Sequence, residues 1–329
     1  MAPRIRLNHM TKVNRRQALS FGVAASCIAA MPKLALANAS SVVATTGMIA
    51  DAAKIIGGDN FDVKGLMGPG VDPHSYRQTR SDIVAIAQAD LVLWHGLFLE
   101  AQMEELFRKL EGRQAIKPVA EFIPTDLLRS HDDYANKFDP HVWMNPRLWV
   151  LVADQIAMSL TEIRPDAAQE IQSSLDEYQA NLESLFDYSS SVLSSVPAES
   201  RILVTAHDAF GYFGKAFGFE VLGIQGISTE SEAGLQEIRT LIQTLVDRKI
   251  GAVFVESSVS DRNVRALIEG AKALGHEVNI GGELYSDAMG DPETYEGTYI
   301  GMIDHNVTTI ANALGGSAPE SGLNGQLSG

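Results

Sequence analysis

Between Pro165 and Val196 the chain runs for about 30 residues without an internal proline or glycine. Apolar residues recur there at Ile171, Leu175, Tyr178, Leu182, Leu185 and Val192, forming one stripe of an amphipathic helix. At ~1.5 Å per residue such a helix spans ~45 Å, longer than one small domain. Alternating strand and helix patterns flank it on both sides. Before it, SVVATTG, FDVKGLM, DLVLWHG and IKPVAEF read as strands, separated by helical segments such as MIADAAKIIGG and FLEAQMEELFRKLEG. After it, RILVTA, EVLGI, GAVFVES and EVNIGG alternate with helices in the same way. Strands separated by helices make parallel sheets covered on both faces. The expected fold class is therefore α/β, with two (β/α) lobes joined by one long rigid helix. The lobes are residues 38–164 and 197–315, and the linking helix is 165–196. The small, polar residues 316–329 read as a flexible tail.

Residues 1–37 read as an export signal. Arg4, Arg6, Lys12, Arg15 and Arg16 precede the apolar run ALSFGVAASCIAA, and Ala35 and Ala37 form a small-residue cleavage site. The run is too short to span a membrane. The Arg15-Arg16 pair points to twin-arginine export, so the mature chain is expected in the periplasm. Cys27 is the only cysteine. It lacks the usual leucine three residues before it, so a lipid anchor there is not expected. Cleavage after Ala37 leaves no disulfide, thiolate site or cysteine nucleophile. It also takes the formal charge from −15 to −21, by removing six basic residues and no acidic ones. So acidic a surface repels nucleic acid and anionic lipid.

Asp72-Pro73-His74 in VDPHSYRQ returns as Asp139-Pro140-His141 in DPHVWMNP, 67 positions on. His207 in TAHDAFGYF follows another 66 positions later. Proline fixes its own φ and holds the residue before it extended, so each Asp-Pro-His step is a rigid mount. His74, His141, His207 and Asp287 all fall at strand ends or helix starts, two from each half of the chain. Ligands of α/β sheets bind beyond the carboxyl ends of the strands, where these four groups can meet. Imidazole and carboxylate are the divalent-metal ligands open to a cysteine-free protein. Asp72 and Asp139 would each accept a hydrogen bond from a ring N–H and set which nitrogen faces the metal. Glu283 rivals Asp287 as the acidic ligand. Glu256 in FVESS is expected to hydrogen-bond near the cleft. His95 reads as structural, and His131, His276 and His305 as surface positions.

The segments GPGVDPHSY, DPHVWMNP, VTAHDAFGYF, GIQGISTESEAG, FVESSVS and GGELYSDAMG…YIGMIDHNV, in this order, carry a resemblance. The chain resembles the metal-binding receptors (solute-binding proteins) of bacterial ABC importers for zinc and manganese, in the TroA-like subgroup. The resemblance implies one divalent ion as cargo, buried between two lobes and held by His74, His141, His207 and Asp287. It further implies docking on a membrane permease driven by a cytoplasmic ATPase. A monomer that is not an enzyme is expected. The third ligand distinguishes metals: manganese-selective relatives carry Glu there, and this chain has His207. Three imidazoles and one carboxylate favour Zn(II) over Mn(II). The His-rich loop of many zinc receptors is absent, since PTDLLRSHDDYANKF holds one histidine. The rival readings are a periplasmic zinc hydrolase on the same ligands and a metal-dependent adhesin. A catalytic zinc keeps a coordination position open for water, and four protein ligands leave none.

Overall fold

The first strand, β1 (Ser40–Ala44), lies at the centre of a four-stranded sheet. β2 (Phe61–Gly65), β3 (Leu91–Trp94) and β4 (Ile116–Pro118) complete it in the order β2-β1-β3-β4. Every pairing is parallel. The computed structural model describes residues 39–130 and 137–327. The export signal, Cys27 and His131 lie outside the described residues. Within Ala39–Gly329 the chain forms one compact unit.

Helices α1 (Gly47–Gly57), α2 (Arg80–Gln88) and α3 (Glu104–Leu110) connect the first strands, as parallel pairing requires. α2 starts at a capping box, in which Thr79 and Asp82 satisfy each other's backbone N–H. α4 (Pro146–Ile163) begins with Pro146 at a first-turn position, and the Asn145 side chain accepts from Arg147 N at 3.0 Å. The long helix α5 spans Ala168–Ser194, after a short 3₁₀ turn at Pro165–Ala167. All six residues of its expected stripe are buried. They face α1, α4 and α9 (Tyr299–Ala313). Trp149 of α4 donates to Tyr178 of α5 at 3.1 Å and stacks on Tyr299 of α9 at 5.2 Å. These aromatic contacts tie the last helix to the first half of the chain.

The second half again alternates strand and helix, with its strands in two two-stranded sheets. β5 (Ile202–His207) pairs in parallel with β6 (Glu220–Gln225), and β7 (Ala252–Glu256) with β8 (Asn279–Leu284). β7 runs beside β5. α6 (Gly211–Phe217), α7 (Leu235–Asp247) and α8 (Arg262–Ala273) form the connections.

Two differences from the sequence reading bear on the site. The strand expected to stop at Gly282 continues to Leu284 through a bulge, where Phe254 pairs with Gly282 and Gly281 is skipped. A Cβ on Gly281 would lie 2.8 Å from the Phe254 ring, and Gly282 has φ of 150°. The Gly-Gly pair therefore permits the bulge rather than ending the strand. In the last helical segment, the expected start at TYEG is a 3₁₀ turn (Tyr295–Gly297), and the Thr298 side chain caps α9. The polar C-terminal segment, read as a flexible tail, makes specific contacts in its described part. Leu323 N donates to Asp304 Oδ2 at 2.8 Å, and Leu323 and Ala318 pack on the core.

The α5 stripe gives the fold its test. Leu182→Ala should lower unfolding free energy by ~2–5 kcal/mol, the range for a truncated core leucine. Glu177→Ala, on the exposed face of the same helix, should change it by less than about 0.5 kcal/mol. Equal effects in denaturant titration would contradict the buried stripe.

Candidate metal centre

His207 is the last residue of β5, and Asp287 lies three residues past β8. His74 sits in the loop after β2, and His141 immediately precedes the turn that leads into α4. The structure brings these four residues together. One ligand atom from each lies within 4.8 Å of the others, and all four residues are buried. His141 Nε2 is 3.3 Å from both His74 Nε2 and His207 Nε2. Asp287 approaches His207 Nε2 at 3.2 Å, His141 Nε2 at 3.4 Å and His74 Nε2 at 3.9 Å. Neither Asp287 oxygen makes a hydrogen bond of good geometry. A buried carboxylate without hydrogen-bond donors is costly unless a cation sits beside it.

Behind this cluster stand two more carboxylates. Asp139 Oδ1 meets the His141 backbone N at 3.0 Å and its ring Nδ1 at 2.7 Å. Glu256, the last residue of β7, meets the His207 backbone N at 2.8 Å and its ring Nδ1 at 2.5 Å. In each case the carboxylate holds a proton at Nδ1, which leaves Nε2 as the nitrogen that faces the centre. Asp139 thus stands where it can set the nitrogen that His141 turns to the centre, and Glu256 stands likewise behind His207 from β7.

Asp72 differs from its expected role. Its oxygens accept from the His74 backbone N at 2.9 Å, Ser75 Oγ at 2.8 Å and Thr229 Oγ1 at 2.6 Å. With both oxygens so occupied, Asp72 fixes the loop rather than the His74 ring. Glu283 also differs: it lies in β8 past the bulge, exposed, and its carbonyl accepts from His305 Nε2 at 2.9 Å. The group aimed at the histidines is Asp287. His95 is buried, and its Nε2 lies 2.7 Å from the Pro140 carbonyl, so it braces the second Asp-Pro-His turn. His276 is half-buried against the Ile250 carbonyl.

Three contributors escape the sequence reading. Arg129 Nη1 donates to Asp139 Oδ2 at 3.3 Å. Tyr212 of α6 donates to the Asp139 carbonyl at 2.8 Å and accepts from Arg129 N at 2.9 Å. Trp143 Nε1 donates to the Ser286 carbonyl at 2.8 Å, beside Asp287. Trp143 and Tyr212 carried a signal, their places within the DPHVWMNP and TAHDAFGYF segments; Arg129 carried none.

The electrostatics follow from burial and these pairs. Burial would lower His141, but the Asp139 hydrogen bond and the nearby Asp287 carry it to about 9. Burial opposes charge on His207 too, and Glu256 and Asp287 raise it well above the ordinary range. For Asp287 burial would raise the pKa, and the His207 and His141 charges hold it well below the carboxylate range. For His74 burial wins, and its pKa falls to about 4. Removing the Asp139 carboxylate should therefore let burial dominate at His141. In metal-free Asp139→Ala, NMR titration should place His141 far below about 9. An unchanged titration would contradict the Asp139 assignment.

The sequence matches the family described as "ZnuA: Zinc-uptake complex component A periplasmic" over residues 42–313. It is 48% identical to the "Zinc-binding protein TroA" of Treponema pallidum over 273 residues, covering 83% of this chain and 88% of that protein. It is 46% identical to the "Manganese-binding lipoprotein MntA" of Bacillus subtilis, covering 83% of this chain and 89% of that protein. The solved structure of the periplasmic zinc binding protein TroA from Treponema pallidum superposes with a TM-score of 0.82 at 47% identity. That match covers 84% of this chain and 99% of the other. These relatives are named for binding metals, not for catalysis. The α/β fold with parallel sheets and a long central helix is shared with them, and the chain belongs to the ZnuA family of periplasmic zinc-uptake components.

Proposed function

We propose that this protein captures one divalent transition-metal ion with His74, His141, His207 and Asp287 and presents it to the permease of an ABC importer. The observation that carries the reading is the convergence of three buried imidazoles on a buried carboxylate whose oxygens lie 3.2–3.9 Å from their Nε2 atoms. Arg129 offsets Asp139, and no lysine or arginine among the described residues pairs with Glu256 or Asp287. A dication balances those two carboxylates. The parts of the chain at 38–164 and 197–315 are read as the two lobes that flank the ion.

Three imidazole nitrogens and one carboxylate oxygen suit tetrahedral Zn(II), the favoured cargo, over Mn(II). Relatives named for zinc and for manganese stand at near-equal identity, so identity does not choose between them. The donor set does.

Calorimetric titration with Zn(II) tests the ligands. His207→Ala and Asp287→Ala should each weaken binding at least a hundredfold, since each removes one of four ligands and leaves a buried charge imbalance. Tight binding retained in both would overturn the set. In the metal-free protein, protons on His141 and His207 substitute for the ion, so binding should release about two protons at neutral pH. Affinity should keep rising with pH up to about 9, where His141 loses its proton, and fall as pH drops below that.

Export places the protein outside the cytoplasm, where an importer's receptor must act. We read this as twin-arginine export with cleavage near Ala37. Several relatives, the manganese-binding MntA of Bacillus subtilis among them, are named as lipoproteins, so lipidation at Cys27 is the rival form. Intact mass of the exported chain separates them: a chain starting near Asn38 supports cleavage, and an acylated chain starting at Cys27 would overturn it.

A further inference from the structure

The three histidines are not held alike. His141 and His207 each rest on a carboxylate through ring Nδ1. Asp72, the corresponding acid of the first Asp-Pro-His step, leaves the His74 ring and reaches across the chain to Thr229 Oγ1, at 2.6 Å. Thr229 belongs to the segment Gly226–Gly234, between β6 and α7 in the second half. The next residue makes a parallel crossing: Glu230 accepts from Gln102 of the first half. Ile227 and Ser228 of the same segment line a narrow cavity beside His74, facing Leu97 and Pro140. Ile227 is buried there. The segment is thus a strap from the second half, laid over the His74 loop and fastened at two adjacent residues.

We infer that Thr229 is a positioning residue for His74, and that His74 is the ligand that detaches first when the metal leaves. The inference rests on the metal-receptor reading above. His141 and His207 cannot swing away without breaking ring hydrogen bonds to buried carboxylates. Asp287 is flanked by Ser286, whose carbonyl is held by Trp143 and whose hydroxyl lies 3.0 Å from Ser258 Oγ. No hydrogen bond to a carboxylate among the described residues holds the His74 ring, and its loop is placed through Asp72. The Thr229–Asp72 bond joins the two halves of the chain. It therefore makes the position of the fourth ligand depend on the strap being seated. Opening the strap frees the His74 loop and leaves the ion on three ligands.

The test is the rate at which bound Zn(II) passes to an excess of fluorescent chelator, in four proteins: wild type, Thr229→Val, His74→Ala and the double variant. Valine keeps the shape of threonine and removes the hydroxyl. Thr229→Val should release Zn(II) roughly fivefold or more faster, the scale of one lost hydrogen bond. Thr229→Ser, which keeps the hydroxyl, should restore the wild-type rate. In the His74→Ala background, Thr229→Val should add nothing, because the ligand it positions is gone. Release at the wild-type rate from Thr229→Val would overturn the inference, and so would equal acceleration in the presence and absence of His74. Failure of the wild type itself to hold Zn(II) would instead remove the metal-receptor reading beneath it.

Discussion

Buried negative charge is the constraint on which the rest of the structure depends. Asp139, Glu256 and Asp287 are each less than 5% exposed and lie around three imidazoles in the interior. One carboxylate has an arginine beside it; the others face only histidine. Taking charges out of water is costly, and the cost is met only by opposite charge at close range. In the metal-free protein that charge is a proton on His141 and on His207. In the loaded protein it is the proposed dication. Capture is then an exchange of protons for metal inside a site already shaped for the ion.

The fold makes that shape rigid. Glu256 and His207 end strands β7 and β5, which lie side by side, and two hydrogen bonds fix the one residue to the other. His141 is clamped by its own Asp-Pro step and by Arg129, Tyr212 and His95 around it. The long helix α5 holds α1, α4 and α9 against one another and so relates the two halves. Against this stiff frame His74 is the exception, placed by a loop and a strap. A receptor must bind tightly and then surrender its cargo, and one loosely mounted ligand among four serves both needs.

Much of this was legible in the sequence because it rests on local pattern. Strand and helix periods gave the element order, and the α5 stripe matched residue for residue. Pro73 and Pro140 made the two histidine mounts visible. Local pattern alone left Glu283 a rival to Asp287, and only the resemblance favoured Asp287, because which of the two is buried depends on the path of the chain through and beyond the β8 bulge. The divergence of the two Asp-Pro-His steps was not legible: identical tripeptides face Thr229 in one case and Arg129 in the other. Those partners lie 157 and 10 positions away and share no periodicity with the motif.

The central claim is that one transition-metal ion resides on these four residues. The most direct measurement is elemental mass spectrometry of the protein purified from its native compartment without chelator or added metal, beside its Asp287→Ala variant. The account predicts about one zinc per chain in the wild type and almost none in the variant. Equal metal content in the two proteins, or no transition metal in the wild type, would contradict it.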